Sequence, residues 1–169
     1  MLRETLVKVA LDMLEAGEEP SLRAVARGAG VSAMAPYRHF ADKAALLSAV
    51  SERGFGALAE ALATADADPD PRVALIGQGL AYLAFARARP VLFRLMFASD
   101  YELGPEDDSG AFATLAHRVA SLGARDPHAA TILSWATVHG LAMLALDGRL
   151  PELDPEGERR VVTLLAKSL

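Results

Sequence analysis

The chain has 169 residues, of which 52% are hydrophobic and 23% charged, and it contains no cysteine. This composition excludes a disordered protein, a disulfide scaffold and a thiolate metal site. Residues 1–53 hold seven basic and seven acidic side chains, whereas residues 54–169 hold ten and fifteen, so the net charge of -5 belongs to the second part. The start of the chain leads into an amphipathic helix rather than an apolar signal core, and we expect a cytoplasmic protein.

Apolar residues spaced by three and four predict an all-α fold with about nine helices. In chain order we expect them over residues 2–15, 22–29, 33–40, 42–65, 73–88, 91–97, 112–122, 127–146 and 155–167. Residues 66–71, Asp-Ala-Asp-Pro-Asp-Pro, mark a corner or a domain boundary. The acidic, turn-rich segment 100–110 is expected to form a loop. No alternation typical of strands is seen, and no repeat with a fixed period.

The most informative segment is residues 20–41, PSLRAVARGAGVSAMAPYRHFA, which contains no acidic side chain. Ser21 can cap one short helix, Gly30 permits a sharp turn through a left-handed backbone, and Ser32 can cap a second helix. Two short helices joined in this way are typical of a DNA-reading helix-turn-helix, and three unopposed arginines suit a phosphate backbone. The alternative is a helical corner in an ordinary all-α protein.

Two residues near this segment bear on the choice. Asp42 is expected to cap the next helix, which places Lys43 in its first turn, where a cation opposes the helix dipole. Stability does not explain that lysine, whereas a nearby phosphate does. Pro36 lacks a backbone donor and clashes with the carbonyl four residues earlier, unless the second helix starts late.

The N-terminal pattern resembles the signature of the TetR (tetracycline-repressor-like) transcriptional regulators. The resemblance is carried by Ala26, Gly30, Val31, Ser32, Tyr37, His39, Phe40, Lys43, Leu46 and Leu47. It implies a three-helix DNA-binding domain over residues 1–48 whose DNA-contacting positions are Ser21, Arg23, Ala33, Met34, Ala35, Tyr37, Arg38, His39 and Lys43. By this resemblance Tyr37, His39 and Lys43 hold phosphates, and Ala33, Met34, Ala35 and Arg38 read bases. Of the base readers, only Arg38 can pair with a guanine through two hydrogen bonds.

The second part of the chain also resembles a known domain. Tyr82, the run 89–97 (RPVLFRLMF), Trp135, His139 and Gly140 are similar to the C-terminal Trp-His-Gly ligand-sensing domain of one TetR branch. The resemblance implies a helical ligand-binding and dimerisation domain over residues 49–169. Aromatic and methionine side chains around one histidine suit an adaptable apolar pocket, although plain core is the alternative. The candidate ligand-binding residues are Phe85, Phe93, Met96, Phe97, Tyr101, Phe112, Trp135, His139 and Met143.

Together these patterns predict a homodimeric transcriptional repressor that binds a double-stranded DNA operator and releases it when a small-molecule effector binds. We expect no catalytic residue, no metal and no cofactor. His117, His128 and His139 are spaced by eleven residues, which separates successive side chains by about 16 Å along one helix, too far for a shared ion.

Three alternatives remain at this point. Residues 129–146 form an uncharged run of eighteen, long enough for a membrane span, although its five polar or glycine positions favour a helix buried on all sides. A helical protein that binds a small molecule or partner and has lost DNA affinity fits Pro36 and the lack of a basic arm before the first helix. A helical enzyme using His139 has the least support.

Overall fold

A computed structural model describes residues 1–98, 110–150 and 154–169. These residues form eight α-helices and one 3-10 helix and contain no strand, which confirms the predicted all-α class. The α-helices are α1 (Leu2–Glu15), α2 (Leu22–Gly28), α3 (Lys43–Ala65), α4 (Pro71–Ala88), α5 (Pro90–Met96), α6 (Ala111–Ser121), α7 (Pro127–Leu146) and α8 (Pro155–Ser168), and the 3-10 helix spans Pro36–Arg38.

The described residues divide into two compact units. The first consists of Met1–Gly54 and residues 91–98, and the second of Phe55–Pro90 with residues 110–150 and 154–169. The helix α3 begins in the first unit and ends in the second.

The first unit is built around α1, α2 and the beginning of α3. Its buried apolar side chains include Leu6, Ala10, Leu22, Val25, Ala26, Phe40, Leu46 and Val50. Two of the three predicted caps are confirmed: Ser21 Oγ accepts the N–H of Ala24 at 3.2 Å, and Asp42 Oδ1 accepts that of Ala45 at 2.8 Å. Each bond satisfies a donor that the first turn of a helix leaves free. The predicted cap at Ser32 is wrong, because the helix after it begins only at Pro36, behind Ala35.

In the second unit α4 packs against α6, α7 and α8. Its core includes the buried cluster Leu75, Val119, Ala130 and Ala166. The helices α4 and α8 approach closely at Gly79, where a Cβ atom would lie 2.6 Å from a methyl group of Val162. Three of these helices, α4, α7 and α8, begin with an aspartate cap followed by proline, an arrangement that favours helix initiation.

The helix α7 differs from the expectation that it is buried on all sides. One face is buried through Ala130, Thr131, Ser134, Val138 and Ala142, whereas three large apolar side chains on the same helix are exposed: Ile132, Leu133 and Leu144. Among the described residues it is the one helix long and apolar enough to cross a membrane, and 28% of its most apolar stretch of 18 residues is buried. The prediction of burial on all sides is wrong, because the other described residues cover only one face of the helix.

Candidate functional site

The turn after α2 has the geometry that the sequence predicts. Gly30 has a φ of +68°, in the left-handed region that glycine adopts without steric strain. The N–H of Val31 donates to the carbonyl of Ala26 at 3.0 Å, and the N–H of Gly30 donates to that of Arg27 at 3.1 Å. This pair of bonds is a Schellman motif, which ends the helix and satisfies two of its last carbonyls.

The second helix of the motif differs from the prediction in length and type. Instead of an α-helix over residues 33–40, the structure has a turn followed by the 3-10 helix Pro36–Arg38. Pro36 is buried and occupies the first helical position, where its missing N–H leaves no bond unmade. A helix starting at Ser32 would bring the Pro36 ring against the Ser32 carbonyl, so the late start that proline permits is the one observed.

Most of the predicted DNA-contacting side chains face solvent. Met34 is 68% exposed and Tyr37 45% exposed. The other exposed members of the set are Ser21, Arg23, Ala33, Arg38 and His39, whereas Ala35 and Lys43 are partly buried. No acidic residue occurs within residues 20–41, so the exposed surface of this segment carries only basic and neutral groups.

Lys43 has an intramolecular partner that sequence reasoning missed. Its Nζ donates a hydrogen bond to Oε1 of Glu19, which lies in the connection between α1 and α2. This hydrogen bond, together with the positive charge of Lys43, lowers the pKa of the Glu19 carboxyl. The sequence separation of 24 residues hides the pair, although Glu19 is the last acid before the acid-free segment.

In the second unit four of the aromatic side chains lie together. The Tyr82 hydroxyl is 2.9 Å from Nδ1 of His139, and the ring of Trp135 contacts the rings of His139 and Phe112 at centroid distances of 6.1 and 6.0 Å. Burial raises the pKa of Tyr82, with a hydrogen bond from Trp135 opposing the shift, and burial lowers the pKa of His139.

The Tyr82 hydroxyl can both accept and donate in this aromatic cluster. The indole N–H of Trp135 can only donate, and its hydrogen bond opposes the rise in the pKa of Tyr82. Between the Tyr82 hydroxyl and Nδ1 of His139 the donor is set by the imidazole tautomer.

The remaining predicted ligand-binding residues occupy different places. Phe93 and Met96 are buried in the first unit, and the Phe97 ring lies 5.0 Å from that of Phe93. Met143 is partly buried on α7 in the second unit. Tyr101 lies outside the described residues.

A cleft of about 610 Å³ opens between the second half of α3 and α4. It is lined by Ala57, Glu60, Ala61, Thr64, Ala65, Ala81, Phe85 and Arg89. At one end the helices touch, because a Cβ on Gly77 would lie 2.8 Å from the carbonyl oxygen of Ala65. Small alanine side chains leave the space open beyond that contact, and the Arg89 guanidinium lies over the Phe85 ring, 5.8 Å from its centroid. Of the predicted ligand-binding residues that the structure describes, Phe85 alone lines this cleft.

Comparison with known families agrees with this geometry. The family model described as "Bacterial regulatory proteins, tetR family" matches residues 17–50, and the model described as "Tetracyclin repressor-like, C-terminal domain" matches residues 75–168. The two models therefore cover the helix-turn-helix and most of the second unit. The second description does not mention a Trp-His-Gly type, so that finer resemblance stays a prediction. A search of curated protein sequences found no match.

Several solved structures are similar to this chain. A protein with unknown function from Rhodococcus sp. RHA1 is 30% identical, with a TM-score of 0.86 over 100% of this chain and 95% of its own. A tetR-family regulatory protein from Rhodococcus RHA1 is 20% identical, with a TM-score of 0.69 over 98% of this chain and 95% of its own. A TetR variant from Acinetobacter baumannii AYE, solved in complex with minocycline, is 21% identical, with a TM-score of 0.68 over 98% and 92%. At 20% and 21% identity, the last two structures show that they have the same fold as this chain.

Proposed function

This chain belongs to the TetR family of DNA-binding transcriptional regulators, and we propose that it is a homodimeric repressor that leaves its operator when a small molecule binds. It would work in the cytoplasm, where the DNA is accessible. The observation that carries the proposal is the surface of residues 20–41: a tight turn followed by a 3-10 helix whose Tyr37, Arg38 and His39 side chains face solvent without an acid among them.

We assign different roles to the exposed groups of this surface. Tyr37, His39 and Lys43 are proposed to bind phosphates, which fixes the protein on the duplex without reading sequence. Arg38 is proposed to read bases with the short side chains of residues 33–35, because a guanidinium can donate two hydrogen bonds to one guanine. Ser21 and Arg23, at the start of α2, are proposed to contact the sugar-phosphate backbone of the DNA.

The test is DNA binding to the region upstream of the protein's own coding sequence, measured by gel shift and fluorescence anisotropy. We expect Arg38→Ala to reduce the preference for operator over unrelated DNA by about 1–3 kcal/mol. Lys43→Ala should weaken binding to every sequence alike and lower the slope of log K against log salt by about one unit. Arg125→Ala, which removes an exposed charge from the connection between α6 and α7, is the matched control. Equal effects of all three variants would contradict the assigned surface.

A dimer is proposed because one short reading element covers few base pairs, whereas two related by a dyad reach major grooves about 34 Å apart. The helices α7 and α8 are the proposed interface. They leave large apolar side chains exposed, among them Leu133 at 50% and Leu164 at 70%. A second copy of the same surface would remove these groups from water.

The dimer is tested by placing a charge on the proposed interface. Leu133→Glu should shift the mass measured by light scattering from dimer to monomer and reduce operator affinity. The change adds no buried charge to the single chain, because Leu133 is already half exposed. Val73→Glu on α4 is the control, since Val73 is 48% exposed and lies on neither proposed interface helix. A wild-type protein that is already a monomer at micromolar concentration would refute the interface.

The effector is proposed to bind in the second unit, where the cleft beside Phe85 and the aromatic cluster around His139 offer apolar contacts with a few polar groups. Phe112 and Met143 of the same unit remain proposed contacts, whereas Phe93, Met96 and Phe97 lie in the first unit and are not part of this site. A structural neighbour that holds minocycline supports a small organic ligand. Release requires only that the ligand favours a dimer whose reading elements are wrongly spaced.

The ligand site is tested by thermal shift against a panel of small organic compounds. Compounds that raise the melting temperature of the wild type should fail to raise that of Trp135→Ala or Phe85→Ala, and should release the labelled operator from the wild type. An undiminished shift in Trp135→Ala would remove that residue from the site.

A further inference from the structure

The ion pair between Glu19 and Lys43 joins an acid to a proposed phosphate ligand. Lys43 is the first residue of α3, and its side chain is 42% exposed, whereas that of Glu19 is 84% exposed. A cation at this end of a helix opposes the helix dipole. The Glu19 carboxylate offsets that cost in the free protein, because it places an anion where the helix end and the ammonium both favour one.

We propose that Glu19 is an internal competitor for the DNA phosphate at Lys43 and thereby limits the affinity of this protein for DNA of any sequence. The inference rests on the proposed function, because it requires Lys43 to bind a phosphate. The role falls to Glu19, which lies just before the acid-free segment of residues 20–41.

The competition follows from the charges that share one ammonium group. A phosphate approaching Nζ of Lys43 meets a carboxylate already hydrogen-bonded to that atom. If both anions stay, two like charges lie within a few ångströms of each other and repel. If Glu19 leaves, the ion pair is lost and the carboxylate must be solvated beside the DNA. Either route makes binding weaker than it would be with a neutral side chain at this position.

The size of the effect is bounded by the exposure of the pair. Ion pairs between exposed side chains contribute roughly 0–1 kcal/mol, which corresponds to at most about a fivefold change in an equilibrium constant. We therefore expect Glu19→Gln to tighten binding about two- to fivefold. The gain should shrink with added salt, because exposed charges are screened, and should be the same for all sequences, because phosphates carry no sequence information.

The experiment measures binding of a fluorescein-labelled duplex of mixed sequence by anisotropy across a salt series. The variants are Glu19→Gln, Lys43→Ala and the double variant, with Glu18→Gln as the control. Glu18 is the neighbouring residue in the chain, is also exposed, and loses the same charge on substitution. Circular dichroism melts of each variant confirm that it is folded before binding is compared.

The proposal predicts that Glu19→Gln tightens binding in the wild-type background and has no effect when Lys43 is already alanine. A gain that persists without Lys43, or an equal gain in Glu18→Gln, would overturn it in favour of general repulsion between acids and DNA. No gain in Glu19→Gln while Lys43→Ala weakens binding would also overturn it, and would leave the proposed function intact. If Lys43→Ala binds as well as the wild type, the proposed phosphate contact itself is wrong.

Discussion

The turn at Gly30 gives a prediction in which backbone conformation is the single variable. A Cβ atom added at Gly30 meets nothing within 4 Å, and the same holds for Gly56 in the middle of α3. The two glycines differ in backbone: Gly30 has a φ of +68°, whereas Gly56 is helical. Substitution by alanine should therefore have opposite effects at the two positions.

The magnitudes follow from known backbone energies. An alanine held in the left-handed region costs about 1–2 kcal/mol, and the restricted unfolded chain returns about 0.4–1 kcal/mol, so Gly30→Ala should lower the free energy of unfolding by about 1 kcal/mol. Gly56→Ala should raise it by about 1 kcal/mol, because alanine is the better helix former. In a chain of this length each change corresponds to a melting-temperature shift of about 2–4 °C.

The assay is thermal and urea unfolding followed by circular dichroism for both alanine variants. Gly30→Asn is the third variant, because asparagine adopts the left-handed conformation more readily than alanine, and its loss of stability should be smaller than that of Gly30→Ala. If Gly30→Ala proves as stabilising as Gly56→Ala, Gly30 does not have a left-handed conformation in solution. The Schellman turn would then be the wrong description of the junction before the 3-10 helix.

Two further predictions concern the second unit. Tyr82→Phe should lower the free energy of unfolding by about 1–2 kcal/mol, because it removes a buried hydroxyl that is hydrogen-bonded to His139. The control Tyr37→Phe, at an exposed tyrosine, should change that free energy by less than about 0.5 kcal/mol. Equal losses of the two variants in urea titrations would count against the hydrogen bond between Tyr82 and His139. The hydrogen bond from Arg118 lowers the pKa of Asp66, so the ionised carboxylate stabilises the fold above its ordinary pKa of 3.8, and this contribution disappears as the pH falls through the lower folded-state value. Urea titrations from about pH 6 to pH 3 should show that the free energy of unfolding falls more steeply with decreasing pH for the wild type than for Asp66→Asn. Equal slopes for the two proteins would exclude the contribution of the ionised Asp66 carboxylate.

The sequence predicted the helical segments well because each has a local cause. Residues 2–15 and 127–146 were predicted with the bounds that the structure has, since their ends carry glycine or an aspartate followed by proline. The exposed face of α7 was not predicted. A helix apolar on all sides looks the same in a sequence whether the second apolar face packs inside one chain or against another molecule.

The exposed surface of residues 20–41 was predicted well in the residues that form it and less well in its backbone shape. The exposed positions of Tyr37 and Arg38 agree with the prediction, but the helix that holds them is shorter than the pattern suggested. Partners distant in the chain could not be found by spacing, because spacing reports only neighbours within one helix. The pairs of Glu19 with Lys43 and of Tyr82 with His139 are of this kind.

The 3-10 helix Pro36–Arg38, proposed to read DNA, is so short that it must take its position from the residues around it. Three residues of 3-10 helix cannot be stable alone, because helix formation requires a costly first turn. Here the element is fixed at its two ends by buried side chains, Pro36 at the start and Phe40 just beyond it, and Gly30 sets the direction in which the chain enters. The proposed orientation of Arg38 toward a base would therefore depend on the packing of the first unit. A cavity-forming Phe40→Ala variant should consequently lose sequence preference before it loses nonspecific affinity, since phosphate contacts tolerate a displacement that paired hydrogen bonds to a guanine do not.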